Sequence, residues 1–323
     1  MADATDPSEM PDFLNHERPP VPDIVVARGV QPFFLDGRPV RGRLVRLGPL
    51  AEALIGRHDN PPAVATLLGQ ALALTAGLAA ALKYKGSFSL QAKGEGPVGM
   101  LLADCTDEGA LRGHARVDAG ALGDATAADA LLGKGYLAFT CDQGPDMDRY
   151  QGMVAIEGAS LSEMTARYFD TSEQLAARVW LAAGPTPAGW RASALVLERI
   201  AAGGGSEAVL EPEIADDAWT TALALAGTVT DAELLDDSLS AERLLTRLFG
   251  GEFGAEGIAL GRPRPLSYGC RCSRARLAQL LTGFPADDLD HMAEEGVITM
   301  TCEFCNLGFR FDRTEVRSGA GRA

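Results

Sequence analysis

Positive charge is scarce in this chain, with 29 Lys and Arg against 44 Asp and Glu and a formal net charge of −15. Such a surface repels a phosphate backbone, because nucleic-acid binders carry a basic face that displaces counterions. Nucleic acid is therefore not an expected partner. Histidine is rare, and His16, His58, His114 and His291 are scattered along the chain. No Ser-His-Asp spacing or nucleophile elbow is present, and Gly94-x-Gly96 lacks the third glycine and the helix start of a phosphate loop, so it reads as a turn between strands. Long apolar runs are also lacking. Pro62 to Leu82 comes nearest, but Thr66, Gln70 and Thr75 interrupt it and much of it is Ala and Gly, so a buried core helix is expected and no membrane partner. The stretch 1–23 is rich in Pro, Asp and Glu and has no basic start followed by an apolar run, which excludes a signal peptide and reads as a disordered leader. The chain is then expected in the reducing cytosol, where clustered cysteines are metal ligands or redox sensors more often than permanent disulfides.

What is present is a globular composition, 46% hydrophobic over 323 residues, enough for two domains or one domain with an appended module. From Val25 to about Ile200, short alternating strands mix with longer helical stretches, an α+β signature without regular βαβ alternation. Ser87 to Lys93 sets Phe88, Leu90 and Ala92 against Ser89, Gln91 and Lys93, as a half-buried strand does. Gly135 to Cys141 and Gly152 to Ile156 are further strand candidates. Pro61-Pro62 can open a long helix that Gly86 ends.

Composition breaks at Gly203-Gly204-Gly205-Ser206, and Ile214 to Phe249 then reads as helical and acidic. Thr230 and Glu233 have capping-box spacing. Leu234, Leu235, Leu239, Leu244, Leu245, Leu248 and Phe249 supply more apolar surface than an isolated helical pair can bury, so this segment needs a partner. The glycines and prolines from Gly250 to Pro265 read as a flexible joint. The expected organisation is a leader (1–23), an N-terminal mixed domain (24–202), a helical linker (203–265), a cysteine module (266–317) and a tail (318–323). Eight arginines balance eight acidic residues from Arg264 onward, so the net negative charge lies before that point.

The cysteine module holds the strongest chemical signal. Cys270-Arg271-Cys272 and Cys302-Glu303-Phe304-Cys305 are two short pairs with 29 residues between them. A structural zinc site takes four soft ligands in a closed tetrahedron, and two close pairs held apart by a small folded spacer supply it. Residues i and i+2 of an extended segment point to one side, and the second pair fits a tight turn. Ser273 can cap a helix carrying Leu277, Leu280 and Leu281. Pro285 can open a second helix, carrying Leu289 and Met292, that stops at Gly296. Val297 to Thr301 reads as a strand into the second pair, with Phe309 and Phe311 on the strand that leaves it. Four thiolates complete a zinc shell, so His291 is expected at the surface. A module of about 55 residues has a thin core, and zinc can add on the order of 10 kcal/mol of folding free energy, so converting the thiolates to disulfides should unfold it. Arg271, Arg274 and Arg276 provide a basic setting that favours thiolate. Ordinary buried cysteines and a redox-inert zinc module remain alternatives, the latter recruiting a protein or nucleic-acid partner. A thiol-disulfide oxidoreductase is a further alternative, but no Cys-x-x-Cys sits in a thioredoxin-like context. Cys105 and Cys141 read as buried apolar side chains. Asp216-Asp217, Asp236-Asp237 and Asp287-Asp288 read as solvated helix starts.

The motifs Cys270-Arg271-Cys272-Ser273-Arg274, Glu294-Glu295-Gly296 and Cys302-Glu303-Phe304-Cys305-Asn306, followed by Phe309-Arg310-Phe311, resemble the redox-regulated 33 kDa heat-shock chaperone family of the bacterial cytosol. Upstream, so do His58-Asp59-Asn60-Pro61, Gly94-Glu95-Gly96-Pro97, Tyr150-Gln151-Gly152, Glu157-Gly158, Tyr168-Phe169 and Ser172-Glu173-Gln174. Ala176 departs from the family pattern, where proline is expected. The resemblance implies an ATP-independent holdase, not an enzyme, that keeps unfolding client proteins soluble during oxidative stress. It further implies a zinc-bound, reduced, inactive form with one Zn2+ on Cys270, Cys272, Cys302 and Cys305. Oxidation is implied to join Cys270 to Cys272 and Cys302 to Cys305, release zinc, loosen the linker and yield a client-binding homodimer.

Overall fold

The computed structural model of the chain describes residues 22–82, 85–144, 147, 149–173, 175–200 and 211–316. Nearly all of the expected leader, the Gly203–Ser206 break, Gln174 and the tail lie outside the described residues. Two compact units divide the rest, Asp23–Gly269 and the stretch from Cys270 onward. The fold is α+β, as the mixed patterning predicts.

The larger unit is built on a sheet of eleven strands among the described residues. The strands are β1 (Val25–Leu35), β2 (Val40–Arg46), β3 (Ser87–Gly94), β4 (Val98–Thr106), β5 (Ala110–Val117), β6 (Gly135–Asp142), β7 (Tyr150–Ala155), β8 (Ala177–Thr186), β9 (Gly189–Arg199), β10 (Ile258–Leu260) and β11 (Arg264–Tyr268). Their order is β7-β6-β3-β4-β5-β11-β1-β2-β9-β8, with β10 also on β1. All pairs are antiparallel except β11 with β5. The helices of this unit are α1 (Pro49–Ile55), α2 (Pro62–Ala79), α3 (Ala128–Leu132), α4 (Leu161–Tyr168), α5 (Pro212–Ala226), α6 (Asp231–Leu235) and α7 (Ala241–Phe253).

Helix α2 is the predicted apolar stretch, and it is a core helix: Val64, Leu68, Ala71, Leu72 and Leu74 are fully buried. Pro62 stands in its first turn, where the missing N–H is not needed. The helix packs against strands from both halves of the sheet. Small residues allow this. A side chain at Gly69 would lie 2.7 Å from the Ala183 Cβ, and one at Gly77 would lie 3.1 Å from both Val196 and Val45. Thr75, fully buried, donates its hydroxyl to the Ala71 carbonyl at 2.7 Å, which satisfies its polar atom. The helix ends at Ala79, before the predicted stop at Gly86, and Arg264 on β11 donates to the Ala80 carbonyl at 2.8 Å.

Strand β9 is buried along nearly its whole length because both of its faces are covered. Ala192, Ala194 and Val196 face the cluster around α2, whereas Leu195 and Leu197 join a second cluster on the opposite face. That second cluster pairs Phe33, Leu35, Val40 and Leu44 of β1 and β2 with Ala222, Ala226, Leu234, Leu244, Leu245, Leu248 and Phe249 of α5, α6 and α7. The helical segment thus finds its apolar partner in the second face of the sheet. Each large side chain so buried contributes about 1.5–3 kcal/mol. The capping box predicted at Thr230 and Glu233 is formed in both directions.

The Gly250–Pro265 stretch differs from the expected joint. Gly250 and Gly251 continue α7, and the residues after it form β10 and β11 along β1. The open edge of β1 offers unpaired backbone groups, and pairing there outweighs the conformational freedom of the glycines. Two upstream motifs also acquire structural reasons. The ring of Tyr168 covers Gly152, where a Cβ would lie 2.4 Å from it, and Tyr150 donates to the Glu173 carboxylate at 2.8 Å beside a second bond from Tyr168. Gly94 and Gly96 turn between β3 and β4 directly beneath the backbone of Leu132, leaving no space for a Cβ. This is the turn that the sequence predicts.

Candidate metal centre

The smaller unit carries α8 (Arg274–Leu281), α9 (Ala286–Met292) and a sheet of β12 (Ala293–Glu294), β13 (Val297–Thr301) and β14 (Gly308–Asp312). Ser273 caps α8 as predicted, accepting from the Arg276 N–H at 3.2 Å. Helix α9 stops at Met292, short of Gly296, because Ala293 and Glu294 pair with β13, and the turn at Glu295-Gly296 follows. Leu281, Leu289, Ile298, Phe309 and Phe311 form the apolar interior, whereas Leu280 and Met292 are exposed. The core is thin. Arg274 stacks over the Phe311 ring at 4.5 Å and donates to the Arg310 carbonyl, and Arg313 bonds Asp290 at 2.7 Å and the carbonyls of Ala286 and Val316.

The β13–β14 hairpin delivers the second cysteine pair. Thr301 faces Gly308 across the ladder, and the Cys302 N–H donates to the Leu307 carbonyl at 3.0 Å. The Asn306 N–H returns to the Cys302 carbonyl at 2.8 Å. Asn306 sits at φ 53°, a left-handed position that Asn tolerates better than most residues. The turn folds Cys302 and Cys305 inward toward Cys270 and Cys272.

All four sulfurs lie within 4.8 Å of one another. The Cys270–Cys272, Cys272–Cys305 and Cys270–Cys302 separations are 3.4, 3.4 and 3.7 Å. Four sulfurs each about 2.3 Å from one central ion are about 3.8 Å from each other, so this cage is close to the size a tetrahedral thiolate site requires. Cys270, Cys302 and Cys305 are buried and Cys272 is half-buried. The thiols are strongly coupled. Burial pushes Cys272 up to about 12, and hydrogen bonding with Cys270 and Cys302 pushes Cys305 up. Hydrogen bonds from Cys270 and Cys305 hold Cys302 far below an ordinary thiol. A central cation would supply the positive charge that lets all four sulfurs ionise together. The four-cysteine cluster can hold a metal ion.

Asp216-Asp217 lie within α5, past its first turn, and not at its start; the other candidates fall where the sequence reading puts them, with one exception. His291 is exposed and its Nδ1 lies 2.6 Å from the Asp287 carbonyl. Cys105 and Cys141 are buried on β4 and β6. Asp287 and Asp288 occupy the first turn of α9. The exception is Asp236-Asp237, which joins α6 to α7 and binds the sheet through Arg191. Nothing local in the sequence marks that role, since Arg191 is 46 residues away.

A mixed α+β unit followed by a compact module whose four thiols could hold a metal ion defines the class of protein. The chain belongs to the Hsp33 family of heat-shock chaperones: the family described as Hsp33 protein matches residues 29–312. A 33 kDa chaperonin of Caulobacter vibrioides is 40% identical over 294 residues, covering 88% of this chain and 94% of the relative. A 33 kDa chaperonin of Pseudomonas aeruginosa is 36% identical over 296 residues, covering 90% and 95%. The crystal structure of a 33 kDa chaperonin from Thermotoga maritima superposes with a TM-score of 0.70 at 20% identity, covering 89% of this chain and 96% of that one, and shares its fold. Membership places the chain among chaperonins, a class that is not enzymatic.

Proposed function

We propose that this protein is a redox-regulated, ATP-independent holdase of the cytoplasm that binds unfolding client proteins and prevents their aggregation under oxidative stress. The observation that carries this reading is the four-sulfur cage at zinc-like spacing in a module with little other core. Cys270, Cys272, Cys302 and Cys305 would hold one Zn2+, which supplies the charge that keeps four thiolates together. Oxidation would join Cys270 to Cys272 and Cys302 to Cys305. As each disulfide forms, its two thiolates give up two electrons, which with two protons reduce one hydrogen peroxide to two waters. With its ligands gone the module loses its main stabiliser. Within the stretch 203–265, the helices α5–α7 then act as a metastable linker whose release bares Phe33, Leu35, Val40, Leu44, Leu195 and Leu197 for clients, in a homodimer.

Graded oxidation with peroxide under mildly unfolding conditions, with released zinc and light scattering of an aggregating client followed together, tests the reading. One zinc per chain should leave as suppression of aggregation appears. Oxidised, zinc-free protein that fails to suppress aggregation would overturn it.

A further inference from the structure

The helical segment is held to the sheet by more than its apolar face. Arg46, at the end of β2, donates to the backbone carbonyls of Leu239 and, at 3.2 Å, of Glu233. Its register neighbour on β9 is Ser193, two residues from Arg191. Arg191 is 7% exposed and donates from Nε to the Asp237 carboxylate at 2.6 Å. Its Nη1 is fixed by the carbonyls of Ala188 and Trp190 at 3.0 and 2.9 Å. Asp236 shapes the same turn by accepting from the Ser238 N–H and hydroxyl at 2.8 and 2.6 Å. Two guanidinium groups from adjacent strands thus grip one turn of seven residues, 233–239, and the grip on its backbone does not depend on which side chains the turn carries.

We propose that Arg46 and Arg191 form a polar latch on the α6–α7 turn, and that this latch sets how readily the helical segment leaves the sheet while the metal is still bound. The proposal rests on the reading of that segment as the regulated one. Apolar burial is non-directional and tolerates sliding, whereas charge-assisted bonds fix one register and are lost together when the turn moves away. Burial works against the charge on Arg46, and Asp236 and Asp237 offset that cost only while the turn is docked. Undocking therefore separates each arginine from groups that only this turn supplies. The latch is independent of the cysteines, so loosening it should mobilise the segment without oxidation.

Amide hydrogen exchange across 212–253 in the full-length, reduced, zinc-loaded protein tests this. Arg46→Gln and Asp237→Asn should each speed exchange in this segment by about tenfold, the effect of losing charge-assisted bonds. Zinc content should be unchanged. Arg199→Gln, which removes the 2.5 Å pair with the exposed Asp216 outside the turn, should leave exchange unaltered. Asp237 is half-exposed, so its variant keeps the test alive if Arg46→Gln folds poorly. Unchanged exchange in the Asp237 variant, or equal acceleration in the Arg199 control, would overturn the latch. A loosened, zinc-loaded variant that fails to suppress client aggregation supports the latch and counts against the holdase reading instead, so the two can fail separately.

Discussion

The rings of Phe33 on β1 and Phe249 on α7 lie 5.6 Å apart, both fully buried, in a cluster distinct from the one around α2. This pair joins the regulatory candidate to the domain it would uncover. Phe249→Ala should destabilise docking of α5–α7 by about 3–5 kcal/mol, with Phe249→Leu costing much less. Denaturant unfolding should then show an early transition confined to the helical segment. A single transition at the wild-type midpoint would contradict this role.

The cage predicts that metal removal and removal of a single ligand have the same local effect. Stripping zinc with a chelator should abolish ordered amide signals of Cys270–Val316 while leaving the sheet of the larger unit intact. Cys302→Ser should lower zinc affinity by orders of magnitude and produce the same local loss without any oxidant, because three thiolates and a hydroxyl do not close the site. Retention of the β13–β14 hairpin in metal-free protein would argue against metal-dependent folding.

Glu198 is buried between two arginines, at 2.8 Å from Arg43 and 2.6 Å from Arg41. Burial pushes its carboxyl up, but the two guanidinium groups prevail and hold it below the ordinary carboxylate range. A depressed folded-state value means that its contribution is fully present above the unfolded value of about 4.3 and is lost as pH falls through the folded one. Glu198→Gln should cost about 3–5 kcal/mol at neutral pH, since it leaves Arg43 buried without its anion. The variant should also show a shallower loss of stability below about pH 4. Identical acid limbs in wild type and variant would rule this out.

Cys105 and Cys141 both stand opposite Phe88, on the two strands that flank β3. Neighbours across one intervening strand are about 9.6 Å apart at Cα, beyond the reach of a disulfide. Burial and the nearby Glu173 and Asp142 carboxylates push the Cys141 thiol up, away from its reactive form. Alanine at both positions should leave the oxidant dose for zinc release unchanged, and thiol labelling of the folded protein should spare them. A shifted dose would assign them a redox role.

Much of this protein was legible from local pattern. The four cysteines, the Ser273 cap, the Thr230–Glu233 capping box and the Phe309/Phe311 alternation depend on residues within a few positions of each other or on ligand chemistry that spacing reveals. The apolar excess of Leu234 to Phe249 announced that a partner was needed but not which one. Only the tertiary structure supplied the second face of β1, β2 and β9, because a strand buried on both sides shows no alternation. It also decided the fate of the Gly250–Pro265 stretch, where the open edge of β1 outweighed the flexibility suggested by composition. Sequence likewise could not pair Asp237 with Arg191, or Arg46 with the carbonyls of Glu233 and Leu239: charge complementarity has no sequence period, and a backbone acceptor has no side-chain signature.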